Sequence, residues 1–155
     1  MTDFSDLLLP GTVIQGVAAV SKKALLQQLA ATLAAAHGLD TKTVADVLLA
    51  REKLGSTGFG GGVAIPHGKI AELPRVIGLF ARLSQPVDFV AIDDLPVDLV
   101  FVMLSPADAG AEHLKALARV SRRLRDRSFI DKLRGAASPD ALYALLTADE
   151  ARDAA

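Results

Sequence analysis

The 155-residue sequence contains no cysteine, and this absence removes several classes of chemistry at once. Without thiols the chain has no disulfide bond, no thiolate nucleophile and no cysteine-ligated zinc site. An excess of charge of one sign is also missing, because 17 basic and 18 acidic side chains leave a net charge of −1. A near-neutral chain gives no overall electrostatic reason to bind nucleic acid or an anionic membrane. We therefore expect neither of them as a partner.

Long hydrophobic runs and a basic start are absent as well. The longest strongly apolar run is Leu99–Leu104, whereas a membrane-spanning helix needs about 20 apolar residues. The first residues, MTDFSD, are acidic and polar, unlike the basic start of a signal peptide. With 51% hydrophobic and 23% charged residues, the composition is that of a globular protein. We expect a cytoplasmic protein, without direct membrane insertion, that forms one domain over residues 1–155.

Glycine, by contrast, is concentrated in one segment. Leu54–Gly68 reads LGSTGFGGGVAIPHG and holds five glycines within eight residues. Because such a density costs chain entropy, it indicates backbone that turns tightly or approaches a neighbour closely. The segment ends in His67, which stands between Pro66 and Gly68. Proline restrains the backbone on one side and glycine leaves the other side open, so we expect an exposed imidazole that a partner can reach.

Hydrophobic periodicity predicts an α/β protein. Strands that are apolar on both faces need helices on both sides of the sheet. The predicted strands are a short one at Val13-Ile14, then Arg75–Leu83 and Leu99–Leu104, with Pro86–Leu95 as a connection. Five helices are predicted. The first begins after the cap Ser21 and ends at His37-Gly38, and the next two span Thr41–Leu54 and Ala109–Arg125. The fourth begins at the capping-box pattern Ser128-x-x-Asp131, and the last begins after the cap Ser138.

Several familiar glycine-rich sites do not fit the segment. A Walker A loop has four residues between its first glycine and its Gly-Lys pair, followed by Ser or Thr, whereas Gly62 and Gly68 enclose five and Ile70 follows the lysine. A dinucleotide fingerprint follows a strand and opens a helix, but here a helix comes first. No histidine pair has the HExxH spacing, and Ser56 lacks the strand–turn–helix context of a hydrolase nucleophile. We expect no nucleotide, no other cofactor and no metal.

A histidine nucleophile remains compatible with the segment. A neutral imidazole, with a reference pKa of ~6.5, attacks phosphorus without a separate base. The phosphoryl group then needs hydrogen-bond donors, and the candidates are Thr57, the glycine amides, Arg51 and His113 at the start of a helix. Two plainer interpretations stay open: Arg51 extends from a helix end into solvent, and His113 is a hydrogen-bonded histidine at the edge of the core.

The run from Arg51 to Gly68, REKLGSTGFGGGVAIPHG, resembles the active-site segment of the mannitol/fructose-type enzyme IIA family of the bacterial phosphotransferase system. The later helix AGAEHLKALARVSRRL fits the same family, so the resemblance covers nearly the whole chain. It implies a three-layer α-β-α sandwich with a mixed parallel/antiparallel central sheet. It also implies that His67 accepts phosphate with Arg51 and His113 as further catalytic residues. The residues expected to support the phosphoryl group are Thr57, Gly58 and Gly68.

Within the family, the sequence is most similar to the nitrogen-regulatory branch, on the stretches SKKALLQQLA, LGSTGFGGGVAIPHGKI and AGAEHLKAL. The resemblance implies a histidine phosphocarrier protein (HPr- or NPr-like) as the phosphate donor and regulatory target proteins that respond to phosphorylation. The alternative is a sugar-specific enzyme IIA that passes phosphate to the IIB domain of a transporter. The docking face around His67 is expected to have an apolar rim of Phe59, Val63, Ile65 and Ile70.

Overall fold

Side-chain caps begin four of the five helices in the computed structural model, which describes residues 3–71 and 73–148. Ser21, Asp40 and Ser138 each accept a hydrogen bond from a backbone N–H in the first turn of the helix that follows. Gly38 ends the first helix with a φ of 66°, a left-handed conformation that glycine adopts at little cost. The helices are α1 (Lys22–His37), α2 (Thr41–Leu54), α3 (Ala111–Leu124), α4 (Arg127–Gly135) and α5 (Pro139–Thr147).

The strands form one mixed sheet in the order β1-β5-β6-β3-β2, and β4 pairs with β6 outside this path. Strands β5 and β6 are long and antiparallel, whereas β1 runs parallel to β5, and both β3 and β4 run parallel to β6. The mixed sheet that the resemblance implied is therefore confirmed. The strands are β1 (Val13–Val17), β2 (Gly58–Gly60), β3 (Val63–Ala64), β4 (His67–Ile70), β5 (Ile77–Val87) and β6 (Val97–Pro106).

Two hydrophobic cores lie on opposite faces of the sheet, because successive side chains of a strand alternate between its faces. On β6, Val100 and Val102 pack in the core that α1 and α2 cover. Leu99 and Phe101 pack in the other core, which α3, α4 and α5 cover. Helices on both faces of a central sheet form the three-layer α-β-α sandwich that was expected.

Both long strands differ in extent from the prediction. β5 begins at Ile77 and not at Arg75, and it continues to Val87 because its pairing with β6 continues to that residue. Pro86, which was placed in a connection, is thus part of the strand. The register is irregular between Arg82 and Val87, so the missing N–H of the proline does not interrupt a regular ladder.

The glycine-rich segment is not one loop, since it contains β2, β3 and the start of β4. Strands of two to four residues are too short to give a recognisable alternation in the sequence. The predicted cap of α4 is also wrong: the Asp126 carboxylate accepts from the N–H groups of Ser128 and Phe129, so the helix begins at Arg127. Both differences come from contacts that hydrophobic periodicity does not report.

No helix in residues 3–71 or 73–148 is long and apolar enough to cross a membrane. The expected single domain over residues 1–155 includes residues 1, 2, 72 and 149–155, which lie outside the described part of the chain.

Candidate functional site

His67 is the first residue of β4, where the glycine-rich segment joins the sheet. It pairs with Met103 of β6, and the Met103 N–H donates to the carbonyl oxygen of Pro66 at 2.9 Å. The imidazole is half-buried, less exposed than the sequence predicted. A strand therefore holds the residue in place, although its surroundings are rich in glycine.

The His67 ring has a defined tautomer. Its Nδ1 lies 2.7 Å from the carbonyl oxygen of Ile65, and because a carbonyl only accepts, Nδ1 carries the proton. The lone pair is then on Nε2. Burial lowers the pKa of His67 below its usual 6.5, as does the charge of Arg51, while the Ile65 hydrogen bond and Glu52 oppose the shift. The net result is a neutral imidazole with one free lone pair.

His113, in the first turn of α3, is 46 residues away in sequence but adjacent in space. The two ring centroids are 5.6 Å apart and the ring planes are inclined by 46°. His113 is 8% exposed, and its Nδ1 lies 2.6 Å from the hydroxyl oxygen of Ser105. Burial lowers the pKa of His113, and electrostatic interactions with His67 and Lys69 lower it further. The structure thus brings together the two histidines that the sequence singled out.

Arg51 is half-buried in the last turn of α2. One guanidinium nitrogen, Nη1, donates to the carbonyl oxygen of Gly55 at 2.8 Å, which ties the end of the helix to the glycine-rich segment. The positive charge lies near enough to His67 to lower its pKa. The side chain is therefore neither fully extended into solvent nor hydrogen-bonded to the imidazole.

Glu52 is a site-forming residue that the sequence reasoning missed. Its carboxylate accepts from the Thr57 N–H at 3.0 Å, from the Thr57 hydroxyl at 2.6 Å and from Lys22 Nζ at 3.1 Å. The residue is only 7% exposed. It follows Val44 and Leu48 at four-residue steps along α2, so its place on the buried stripe was the available signal. The glycine-rich segment is thus attached to α2 through a buried carboxylate.

Thr57 and Gly58 are held by contacts of their own. The Thr57 hydroxyl donates to Glu52, and its carbonyl accepts from the Ile65 N–H at 3.1 Å. A Cβ on Gly58 would lie 2.9 Å from the Cβ of Ala91, too close for a real side chain. The Thr57 hydroxyl proton is already donated to Glu52, and no side chain fits at Gly58. Support of a phosphoryl group by these two residues therefore stays a prediction.

Gly68 is also set by packing, since a Cβ there would lie 2.3 Å from Val47 Cγ1 of α2. This contact brings β4 and α2 together directly beside His67. The absence of a side chain at Gly68 therefore allows the strand that carries His67 to lie close to the helix that carries Arg51.

The expected apolar rim is wrong for three of its four members. Val63, Ile65 and Ile70 are buried in the two cores, and only Phe59 is partly exposed. Val63 and Ile70 lie in strands, where alternation turns them toward the cores. An apolar residue that is exposed beside the site is Leu114, next to His113, with 66% of its surface accessible.

Within residues 3–71 and 73–148, no three His, Asp or Glu side chains are grouped so as to hold a metal ion. The described arrangement combines a neutral Nε2 lone pair, an adjacent second imidazole and a guanidinium whose charge acts on the first ring. An imidazole lone pair suits attack on an electrophile such as phosphorus, and the two other groups suit an anion that forms there.

Comparison with known proteins shows which proteins this chain resembles. The family model described as phosphoenolpyruvate-dependent sugar phosphotransferase system, EIIA 2, matches residues 6–149. A protein of Bradyrhizobium diazoefficiens named nitrogen regulatory protein is 50% identical over 142 residues, which cover 92% of this chain and 93% of that protein.

Solved structures show the same relationship. The crystal structure of nitrogen regulatory protein IIA-Ntr from Neisseria meningitidis superposes with a TM-score of 0.86 and 37% identity, over 92% of this chain and 97% of that one. The mannitol IIA structure from Escherichia coli has a TM-score of 0.76 and 23% identity, over 91% and 100% of the two chains. At 23% identity, the similarity to the mannitol IIA structure supports the fold alone.

Proposed function

Because the chain belongs to the EIIA 2 family of the phosphoenolpyruvate-dependent sugar phosphotransferase system, we propose that it accepts a phosphoryl group on Nε2 of His67. The donor is a histidine phosphocarrier protein. The bond from phosphorus to the donor's nitrogen breaks as the bond to Nε2 forms, while Nδ1 keeps its proton. The observation that carries this proposal is the 2.7 Å hydrogen bond from Nδ1 to the Ile65 carbonyl, since it leaves Nε2 as the nucleophilic atom.

Arg51 and His113 stabilise the transferred group without carrying it. The phosphoryl oxygens gain negative charge, and a guanidinium and an imidazole N–H are donors that bind such oxygens well. His113 lies beside the ring of His67, and the Arg51 charge acts on that same ring. The Gly55 contact of Arg51 uses Nη1, which leaves Nη2 and Nε available for a phosphoryl oxygen.

The proposed physiological role of the protein is the regulation of other proteins. The relative from Bradyrhizobium and the structure from Neisseria are both named nitrogen regulatory proteins, and the first of them covers nearly the whole chain. A phosphoryl group adds up to about two negative charges, by analogy with other phosphorylated side chains. A partner that buries the neutral site would have to desolvate this charge, which is costly without complementary groups. We expect regulatory targets to bind the unphosphorylated form more tightly.

The alternative is transfer from His67 to a sugar-specific IIB domain. The description of the matching family favours it, because that description names a sugar phosphotransferase system. The same site chemistry serves both outputs, so binding and transfer experiments have to separate them.

Labelling with phosphate tests the site. Incubation with phosphoenolpyruvate, enzyme I and the histidine phosphocarrier should give one acid-labile phosphate, and nuclear magnetic resonance should locate it on Nε2. His67→Ala should abolish the label. The matched control is His37→Ala, which alters a half-buried histidine at the end of α1 and should label normally. A label retained in His67→Ala, or found on Nδ1, would refute the assignment.

Calorimetry tests the regulatory role by measuring the affinity of a target for each form of the protein. A regulatory target should bind the unphosphorylated protein and His67→Ala with similar affinity, and the phosphorylated protein more weakly. Equal affinity for all forms, together with efficient transfer of phosphate to a sugar-specific IIB domain, would favour the sugar-transport alternative.

A further inference from the structure

Ser105, near the end of β6, is fully buried and contacts the second histidine of the site. Its accessible surface is 0%, and its hydroxyl oxygen lies 2.6 Å from Nδ1 of His113. The same strand pairs with β4, with Met103 opposite His67 and Ser105 opposite Lys69. One strand therefore sets the position of both imidazoles: through backbone pairing for His67 and through a side chain for His113.

The direction of the hydrogen bond between Ser105 and His113 follows from what each atom can do. A hydroxyl both donates and accepts, and a neutral imidazole nitrogen does one or the other. If Nδ1 of His113 donated, the buried hydroxyl proton of Ser105 would need a different acceptor. None of residues 3–71 and 73–148 is hydrogen-bonded to that hydroxyl except His113. A buried hydroxyl without an acceptor is costly, so Ser105 donates and Nδ1 accepts.

We propose that Ser105 is a positioning residue that holds His113 in the tautomer protonated on Nε2, so that the ring presents a donor to the phosphoryl group on His67. The proposal rests on the function assigned above, because it concerns the role of His113 in that reaction. Nε2 lies across the ring from Nδ1, so a lone pair on it would repel phosphoryl oxygens, whereas an N–H binds them.

The two histidines are then held in opposite tautomers. A carbonyl of Ile65, which only accepts, keeps the proton of His67 on Nδ1 and leaves Nε2 as the nucleophile. A hydroxyl of Ser105 donates to Nδ1 of His113 and leaves Nε2 as the donor. Each ring has the protonation pattern that its role in phosphoryl transfer requires, and the partner atom behind the ring determines it.

A long-range proton–nitrogen correlation spectrum of the unphosphorylated protein tests the tautomer directly. The wild-type protein should show His113 protonated on Nε2. Ser105→Ala should shift His113 toward a mixture of tautomers, and Ser105→Thr, which retains a hydroxyl, should restore the wild-type pattern. A loss of packing alone would not change which nitrogen carries the proton, so this readout separates positioning from a structural role.

Phosphate transfer from the loaded phosphocarrier supplies a second readout. Ser105→Ala should lower the rate roughly threefold to tenfold, the effect of losing one hydrogen-bond arrangement. In a His113→Gln background the same replacement should change the rate less than about twofold, since an amide has no ring tautomer to select. Equal effects in the two backgrounds would count against the proposal.

The wild-type spectrum decides the outcome even if a Ser105 variant folds poorly. His113 protonated on Nδ1 in the wild-type protein would overturn the proposal, as would an unchanged tautomer in a folded Ser105→Ala. Failure of the wild-type protein to take up phosphate would instead refute the proposed function, and the tautomer measurement would still stand. The two failures are therefore distinguishable.

Discussion

Replacing Gly68 with alanine is expected to slow phosphate transfer to His67 by moving β4 and α2 apart. The added Cβ would lie 2.3 Å from Val47 Cγ1, about 1 Å closer than the 3.4 Å at which ordinary van der Waals contact begins. Val47 is one helical turn before Arg51. Relief of the clash by moving the helix would therefore displace the guanidinium from the imidazole.

The size of the effect follows from the stiffness of the contact. Valine in a helix strongly prefers one rotamer, so Val47 has little freedom to turn away. Overpacking of this kind costs about 1–3 kcal/mol of folding free energy, and each kcal/mol lowers the melting temperature by roughly 2–4 °C in a protein of this size. A displacement near 1 Å in a catalytic arrangement lowers rates by up to about a hundredfold, so we expect a loss of roughly tenfold to a hundredfold.

A double-mutant cycle with Val47→Ala is the assay. Transfer rates and melting temperatures are measured for the wild type, Gly68→Ala, Val47→Ala and the double variant. Because Val47→Ala removes the clashing methyl group, the double variant should recover most of both losses relative to Val47→Ala. The matched control is Gly135→Ala, where a Cβ meets nothing within 4 Å, and it should transfer phosphate normally.

One result would refute this reasoning. If the double variant regained its stability while its transfer rate stayed low, Gly68 would act on the phosphoryl group itself and not through the spacing of β4 and α2. The sequence analysis expected Gly68 to support the phosphoryl group, so the cycle decides between a direct role and a role in packing.

Three further predictions concern charge at the site. Arg51→Gln should slow transfer by roughly tenfold to a hundredfold, because a charge-assisted contact contributes about 1.5–3 kcal/mol; a wild-type rate in a transfer assay would show that the arginine has no such role. Protonation of Nε2 removes the nucleophile of His67, and burial lowers the pKa of this imidazole below 6.5, so the acceptor rate should fall on acidification with a midpoint below pH 6.5. A pH–rate profile with a midpoint above 6.5 would contradict this. Glu52→Gln should destabilise the fold by about 2 kcal/mol, because it weakens charge-assisted contacts with Lys22 and Thr57, and it should lower the pKa of His67 further. Thermal unfolding and nuclear magnetic resonance titration measure the two effects, and an unchanged pKa would exclude Glu52 from the electrostatics of the site.

The helices could be predicted more closely than the strands. Both ends of α2 and the caps of α1 and α5 matched, because Ser21, Ser138 and Gly38 act on backbone within a few residues of themselves. The extent of β5 did not match, since residues beyond its apolar run join the strand only through pairing with β6. Local signals therefore predicted local structure, and partners from elsewhere in the chain set the remaining boundaries.

The residues of the site also divide into those that the sequence identified and those that only the structure revealed. His67 and His113 were singled out from their sequence context, and the structure places their rings 5.6 Å apart. Glu52 was missed because a charged residue on a buried stripe can be explained only when its partners Lys22 and Thr57 are known. The apolar rim was wrong because a strand alternates its faces, and strands as short as β3 leave no periodic signal.

The amino-acid sequence by itself determined the caps of α1 and α5, the glycine-rich segment and a histidine suited to nucleophilic attack, because each depends on residues close together in the chain. Only the tertiary structure decided which nitrogen of each imidazole carries the proton, which neighbours shift their pKa values and which glycines are required by packing. Those properties depend on the Ile65 carbonyl, the Ser105 hydroxyl and the Val47 methyl group. The pairing of β4 with β6 and the packing of α2 and α3 bring these groups to the site, and hydrophobic periodicity carries no information about either.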